Sequence, residues 1–113
     1  MINLDSTLKS LEIDLVGAIT TNQLPYTLSY VDLLTSDQSV SAVATNDGAT
    51  NSMTTVSVLA APSAGHTRVL KFLSVQNADT VAATLIFQLN DNGTVRTIAK
   101  VTLDVGDNFI YED

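Results

Sequence analysis

Apolar and polar residues alternate with a period of two through most of this chain. The pattern is clearest from Thr84 to Tyr111. Leu85, Phe87 and Leu89 alternate with Thr84, Ile86 and Gln88, then Asn90-Asp91-Asn92-Gly93 intervenes. Val95, Thr97, Ala99, Val101 and Leu103 then alternate with Arg96, Ile98, Lys100 and Thr102. Period-two runs on both sides of an Asn-Gly pair predict a β-hairpin with a tight turn. Val105-Gly106-Asp107 predicts another tight connection, after which Phe109 to Tyr111 closes the sheet.

Upstream, Arg68 to Gln76 is nearly continuous in apolar residues, with Leu70 and Phe72 on one face and Val69, Leu73 and Val75 on the other. Such a run predicts a central strand covered on both sides, with Lys71 near an open end or snorkelling. Met53 to Leu59 is rich in β-formers and ends in the turn-forming Ala60 to Gly65. Leu24-Pro25 opens another strand, which places Tyr26, Leu28 and Tyr30 on one face; proline is tolerated at a strand's first position. Ser36 to Asn51, rich in Ser, Thr, Asn and Asp with Asn46-Asp47-Gly48 as a turn signal, reads as a long surface loop containing a short strand at Val40 to Val43.

The start of the chain fits two templates. Leu4, Leu8, Leu11 and Leu15 form a helical stripe, while Leu11, Ile13 and Leu15 also alternate with Glu12 and Asp14 as in a strand. The reading favoured here is a strand over Ser10 to Thr20 preceded by an arm, helical or loose, over residues 1–9. Residues 10–113 then form one all-β domain of seven or eight antiparallel strands, a β-sandwich of jelly-roll or immunoglobulin-like type. A chain of 113 residues supports one modest core and not two.

Composition narrows the functions. Only 15% of residues are charged although 45% are hydrophobic, so hydroxyls and amides supply much of the polarity. That suits a β-protein or a subunit that buries surface against neighbours. The net charge of −7 and scattered Lys9, Arg68, Lys71, Arg96 and Lys100 argue against nucleic acid, whose phosphates need clustered cations. The chain has no cysteine, which removes thiol catalysis, disulfides and Cys-based zinc sites. Met1 to Asp5 lacks the pattern of a secretory signal, and no apolar stretch is long enough to span a bilayer; synthesis in the cytoplasm is expected.

The candidate chemistry is sparse. His66 is the sole histidine, near Ser63, but Pro62-Ser63-Ala64-Gly65 is a turn without a nucleophile-elbow pattern. Of the twelve acidic residues, ten are Asp, including Asp37, Asp47, Asp79, Asp91, Asp104 and Asp107 in turns, where Asp caps backbone N–H groups. Glu12 and Asp14 share a strand face directed to solvent. Asn90 to Gly93 lacks the terminal Glu of a calcium loop, since the corresponding position is Val101. Asn92-Gly93-Thr94 matches a glycosylation sequon but lies behind no signal peptide. Tyr26 and Tyr30 are read as core. The sequence therefore assigns no catalytic, cofactor-binding or metal-ligating residue.

Several stretches together resemble one family. These are Val16 to Pro25 (VGAITTNQLP), Ser29 to Asp32 (SYVD), Asp47 to Asn51, Val58 to Pro62, Leu73 to Thr80, Asn90 to Thr94 and the closing Phe109 to Asp113. In that order they resemble small virion proteins of tailed bacteriophages, over about residues 10 to 113. The resemblance implies a non-enzymatic structural role. The expectation is a capsid decoration (cement) protein on the outer head surface, made in the host cytoplasm, a trimer whose partner is the major capsid protein. No nucleic acid or membrane is involved in that reading. The arm, Met1 to Lys9, is the first candidate contact segment and Ser36 to Asn51 the second. The alternatives are a tail or head-fibre component, or a host-carbohydrate-binding module, against which the absence of Trp counts. Ile86 and Ile98, opposite the Leu85-Phe87-Leu89 face, point to a central sheet position or a subunit interface.

Overall fold

A computed structural model describes residues 1–113 as nine β-strands and no helix: β1 (Ile2–Leu4), β2 (Lys9–Leu15), β3 (Pro25–Leu34), β4 (Val40–Ala49), β5 (Val56–Leu59), β6 (His66–Gln76), β7 (Ala83–Asp91), β8 (Thr94–Leu103) and β9 (Asn108–Glu112). They form two packed antiparallel sheets, a β-sandwich with one or two more strands than the sequence pattern predicts. The first sheet has the order β1-β6-β3-β4, with β9 also pairing β6; the second has the order β5-β2-β7-β8. β1 and β9 lie end to end along one edge of β6, opposite Arg68–Leu70 and Phe72–Gln76 respectively.

The alternating residues fix which face goes inward. Leu11, Ile13 and Leu15 of β2, with Leu85 and Phe87 of β7, meet Tyr26 and Leu28 of β3 and Leu70, Leu73 and Val75 of β6 in one apolar core. Phe87 of one sheet and Phe109 of the other stack across the gap, ring centroids 5.9 Å apart and tilted by 55°, a geometry that aromatic pairs prefer. At the open end of the core Arg68 makes a two-pronged ion pair with Asp32, at 2.8 and 3.0 Å. Its guanidinium lies 4.5 Å from the centre of the Tyr30 ring.

The predicted hairpin is present. Asn92 and Gly93 both have positive φ, 52° and 93°, as a two-residue type I′ turn requires. The Gly93 N–H donates to Asn90 Oδ1 at 2.8 Å. Two details depart from strict alternation. The β7–β8 register shifts between Phe87 and Gln88, so Ile98 is the extra residue of a bulge, and the half of β8 beyond it no longer follows the inward set of Ala99, Val101 and Leu103. β9 does not extend the hairpin sheet; it crosses to pair with β6.

Three further expectations are corrected. Residues 1–9 are not a helical or loose arm: β1 pairs with β6 and Leu4 is fully buried. The strand predicted over Ser10 to Thr20 ends at Leu15. In Ser36 to Asn51, expected to be a loop with a short strand at Val40 to Val43, that strand is present but runs on to Ala49 as β4, paired residue by residue with β3 from Pro25↔Ala49 to Asp32↔Ala42. As an edge strand it needs no apolar alternation, so its Ser, Thr and Asn content concealed its extent. Gly48 serves a close approach and not a turn, since a Cβ there would lie 2.8 Å from the Tyr26 hydroxyl.

If β1 belongs to the core, Leu4→Ala should lower unfolding free energy by about 2–5 kcal/mol, the usual cost of such a core truncation. Urea unfolding followed by circular dichroism measures this. An unchanged midpoint would return residues 1–9 to the status of an arm.

Candidate functional site

The residues considered for catalysis are held apart. His66 opens β6, and its Nδ1 lies 3.2 Å from the Ala64 carbonyl oxygen. Ser63 is exposed and meets His66 through its carbonyl, which accepts the His66 N–H at 3.1 Å. Glu12 and Asp14 do share the outer face of the second sheet, but neither is simply solvated. Glu12 accepts hydrogen bonds from Gln88 Nε2 at 3.0 Å and Asn90 Nδ2 at 3.1 Å. Asp14 has one oxygen 3.5 Å from the Thr55 hydroxyl and the other buried without a partner. Burial raises its pKa, a contact with Thr55 opposes this, and the Glu12 charge adds to the rise. Asn90 to Gly93 forms the hairpin turn already described, and no group of three or more His, Cys, Asp or Glu converges.

The dense polar chemistry lies at one end of the sandwich. There the connections β2–β3, β4–β5, β6–β7 and β8–β9 all cross from one sheet to the other. A chain leaving a sheet strands backbone N–H and C=O groups that must be paired if buried. Asp79, only 3% exposed, supplies acceptors for the β2–β3 connection. Its carboxylate accepts the N–H groups of Thr20 at 2.8 Å, Thr21 at 2.7 Å and Asn22 at 3.1 Å, together with Thr80 at 2.8 Å. Those donors, Thr20 first, hold its carboxyl far below the usual carboxylate range against the effect of burial.

Asn77, 1% exposed, joins the next connections. Its Oδ1 accepts the Asp79 N–H at 3.0 Å, and its Nδ2 donates to the carbonyls of Val81 at 3.0 Å and Leu103 at 2.9 Å. Its backbone exchanges hydrogen bonds with Asp107 and Gly106. The remaining crossing is tied by Gln23, whose Oε1 accepts from the Thr50 hydroxyl at 2.8 Å and the Ser52 N–H at 2.9 Å. Thr50 Oγ1 in turn accepts the Leu24 N–H at 2.9 Å. With its acceptors committed in this way, the cluster does structural work.

The faces and edges remain as surfaces. On the outer face of the first sheet, Ser29, Val31, Val43, Thr45 and Lys71 border a shallow, mainly apolar depression of about 480 Å³. Val43 and Ile110 there are 72% and 52% exposed. Lys71 is neutralised by Asp113 at 2.7 Å and Lys9 by Asp5 at 2.8 Å. A narrower crevice of about 190 Å³ lies under Val16 to Ile19 beside Asp79. No helix is long and apolar enough to cross a membrane. Sequence reasoning treated Asn77 to Asp79 as a simple turn. The one available signal was an Asn-x-Asp directly after the most apolar strand. The geometry defines a β-sandwich with a polar lock at one end. Comparisons with protein-family models, with curated proteins and with solved structures found no match.

The lock makes a pH prediction. A carboxyl depressed in the folded state stabilises fully above its unfolded value, near 3.9, and that contribution is lost as pH falls toward the folded value. Thermal unfolding of the wild type should therefore weaken steeply below about pH 4. Asp79→Asn should be less stable at pH 7 and show a flatter profile through the acid range. Asn77→Ala should cost about 2–4 kcal/mol at any pH in that range, since it leaves several buried groups unpaired. A steep acid profile in Asp79→Asn equal to wild type would remove Asp79 as the source.

Proposed function

We propose that this protein is a non-enzymatic virion component of a tailed bacteriophage, a capsid decoration protein that binds the outer surface of the head and stabilises the shell. The observation that carries the reading is the character of the outer surfaces. A free-standing antiparallel sandwich keeps the outward positions of its strands mainly polar. Here Val31, Val43, Phe72 and Ile110 stand on the outer face of the first sheet, while Ile86 and Ile98 lie on the second. Depletion of charge with retained apolar area is the composition of a surface meant to be covered. The ordered resemblance to small phage virion proteins over about residues 10 to 113 supports the same role.

The mechanism under this reading is mass action. A protein that binds the assembled lattice and not free shell subunits stabilises the lattice by about 2.7 kcal/mol when its free concentration is 100 times its Kd. The candidate contacts shift from the sequence-based ones. β1 is committed to the core, so the outer face of the first sheet, with β4 at its margin, takes the place of the amino-terminal segment.

Cryo-electron microscopy of the intact particle tests this. Density for the sandwich is expected on the outside of the head, at a copy number approaching that of the major capsid protein. Adding purified protein to heads lacking it should raise their disruption temperature. Density confined to the tail would assign the protein to the tail instead and end the decoration reading.

A further inference from the structure

A sandwich of two open sheets has four lateral edges, and this molecule protects three of them. β8 carries Arg96 and Lys100, both exposed and free of ion pairs, and is kinked by the bulge at Ile98. Charge and bulges of this kind block the approach of another strand. β5 has four residues, and Asn46 Nδ2 donates across to its Val58 carbonyl at 3.0 Å. The β1/β9 edge is divided between strands of three and five residues, with Glu112 and Asp113 at the end of the longer one. β4 is different: ten residues long, exposed, and without a charge from Val40 to Asn46.

The direction of its free hydrogen-bonding groups can be read from the ladder. The Thr50 N–H donates to the Leu24 carbonyl, and Leu24 stands opposite Thr50 when the Pro25↔Ala49 register is continued. Antiparallel ladders alternate bonded and non-bonded pairs. Gly48, Asn46, Ala44 and Ala42 therefore bond to β3, and Asp47, Thr45 and Val43 direct their N–H and C=O groups away from the sheet.

We infer that β4 pairs antiparallel with β4 of a second copy of this chain about a two-fold axis at Ala44. Register and charge select both the occupant and the centre. The undisturbed ladder runs from Ala42 to Ala49, because the β3–β4 register shift leaves Ser41 as the extra residue. The uncharged stretch runs from Gln38 to Asn46. Their overlap is Ala42 to Asn46, whose middle is Ala44. Pairing there sets Val43 of each copy opposite Thr45 of the other and forms about four backbone hydrogen bonds. It also packs two β-branched cross-strand pairs on the outer face, at the rim of the apolar depression.

The charge argument decides between registers. The chain carries −7, so copies repel unless their contact is neutral. With Ala44 at the axis, the two Asp47 residues are six positions apart along the strand, roughly 20 Å, well beyond a Debye length of about 8 Å at physiological salt. Sliding the centre to Asp47 would set two carboxylates directly opposite. The pairing depends on the β4 edge alone and does not require the shell-binding reading.

The chain has no cysteine, which makes an engineered crosslink an unambiguous reporter. In a non-hydrogen-bonded antiparallel pair the facing Cα atoms are about 4.5 Å apart, within the range a disulfide spans. Under mild oxidation Ala44→Cys should give a covalent dimer, and Val95→Cys on the protected β8 edge should stay monomeric. Thr45→Pro removes an outward N–H and leaves the β3 ladder intact. It should weaken dimerisation by about 10- to 30-fold in sedimentation equilibrium, the loss of two hydrogen bonds per dimer, with an unchanged far-ultraviolet spectrum. A wild-type protein monomeric at all concentrations, with Ala44→Cys remaining uncrosslinked, would overturn the inference. A three-chain mass would do so as well, since a ring uses β4 head to tail and separates the two Ala44 residues.

Discussion

The carboxylate of Asp79 is the constraint on which the sandwich depends. Two sheets can pack face to face only if the chain passes between them, and four such passages meet at one end of this molecule. Each passage takes backbone out of a ladder and leaves groups that the apolar core cannot satisfy. One carboxylate gathers three consecutive N–H groups from the β2–β3 passage and one from its own. Asn77, two residues earlier, extends the same network to the end of β8 and the β8–β9 turn. Because β2 neighbours β7 and β3 neighbours β6, clamping the β2–β3 and β6–β7 passages together fixes the relative position of the two central strand pairs. The core residues then meet in one arrangement.

What the sequence revealed of this fold follows from which residues are buried on one side. β2 and the core half of the hairpin, Leu85 and Phe87 opposite Val101 and Ala99, alternate strictly enough to read, and Asn92-Gly93 announces its turn by conformational need; β6 breaks its expected faces, because a register shift against β3 at Lys71 turns Leu70 and Leu73 to the same side and Phe72 outward. β4 was legible only at Val40 to Val43, for the opposite reason. Its side chains are exposed on an edge, its register is imposed by β3, and its Gly48 answers to the Tyr26 ring. β1 was hidden because three residues carry no period, and because Leu4 is equally at home in a helical stripe. The lock was invisible because Asp79 and Asn77 have the same local signature as turn residues such as Asp91 and Asn90. Only the distant Thr20 to Asn22 backbone, brought near by topology, distinguishes them. The shift at Ile98 was likewise unreadable: a bulge adds one residue without altering composition, and it reverses the expected faces of Val95 and Thr97.

The edges carry the remaining information, since they show where the molecule avoids contact and where it does not. Arg96 and Lys100 are the two cations with no acidic partner, and both lie on β8. In a chain with five basic residues that placement is costly to charge balance elsewhere, and it guards one edge. β4 received neither charge nor proline in its central run, although a single lysine would suffice to blunt it. A long, neutral edge with unpaired N–H and C=O groups is a template on which another strand can pair. The same logic applies to the outer face beside it. Val43 and Ile110 lie on that side, where Lys71 is already neutralised by Asp113. Charge is absent from the β4 edge between Val40 and Asn46, cancelled at Lys71 by Asp113, and retained on the β8 edge of the second sheet at Arg96 and Lys100. The β4 and β8 edges therefore differ in what they admit, a neutral ladder on one and a bulged, cationic one on the other.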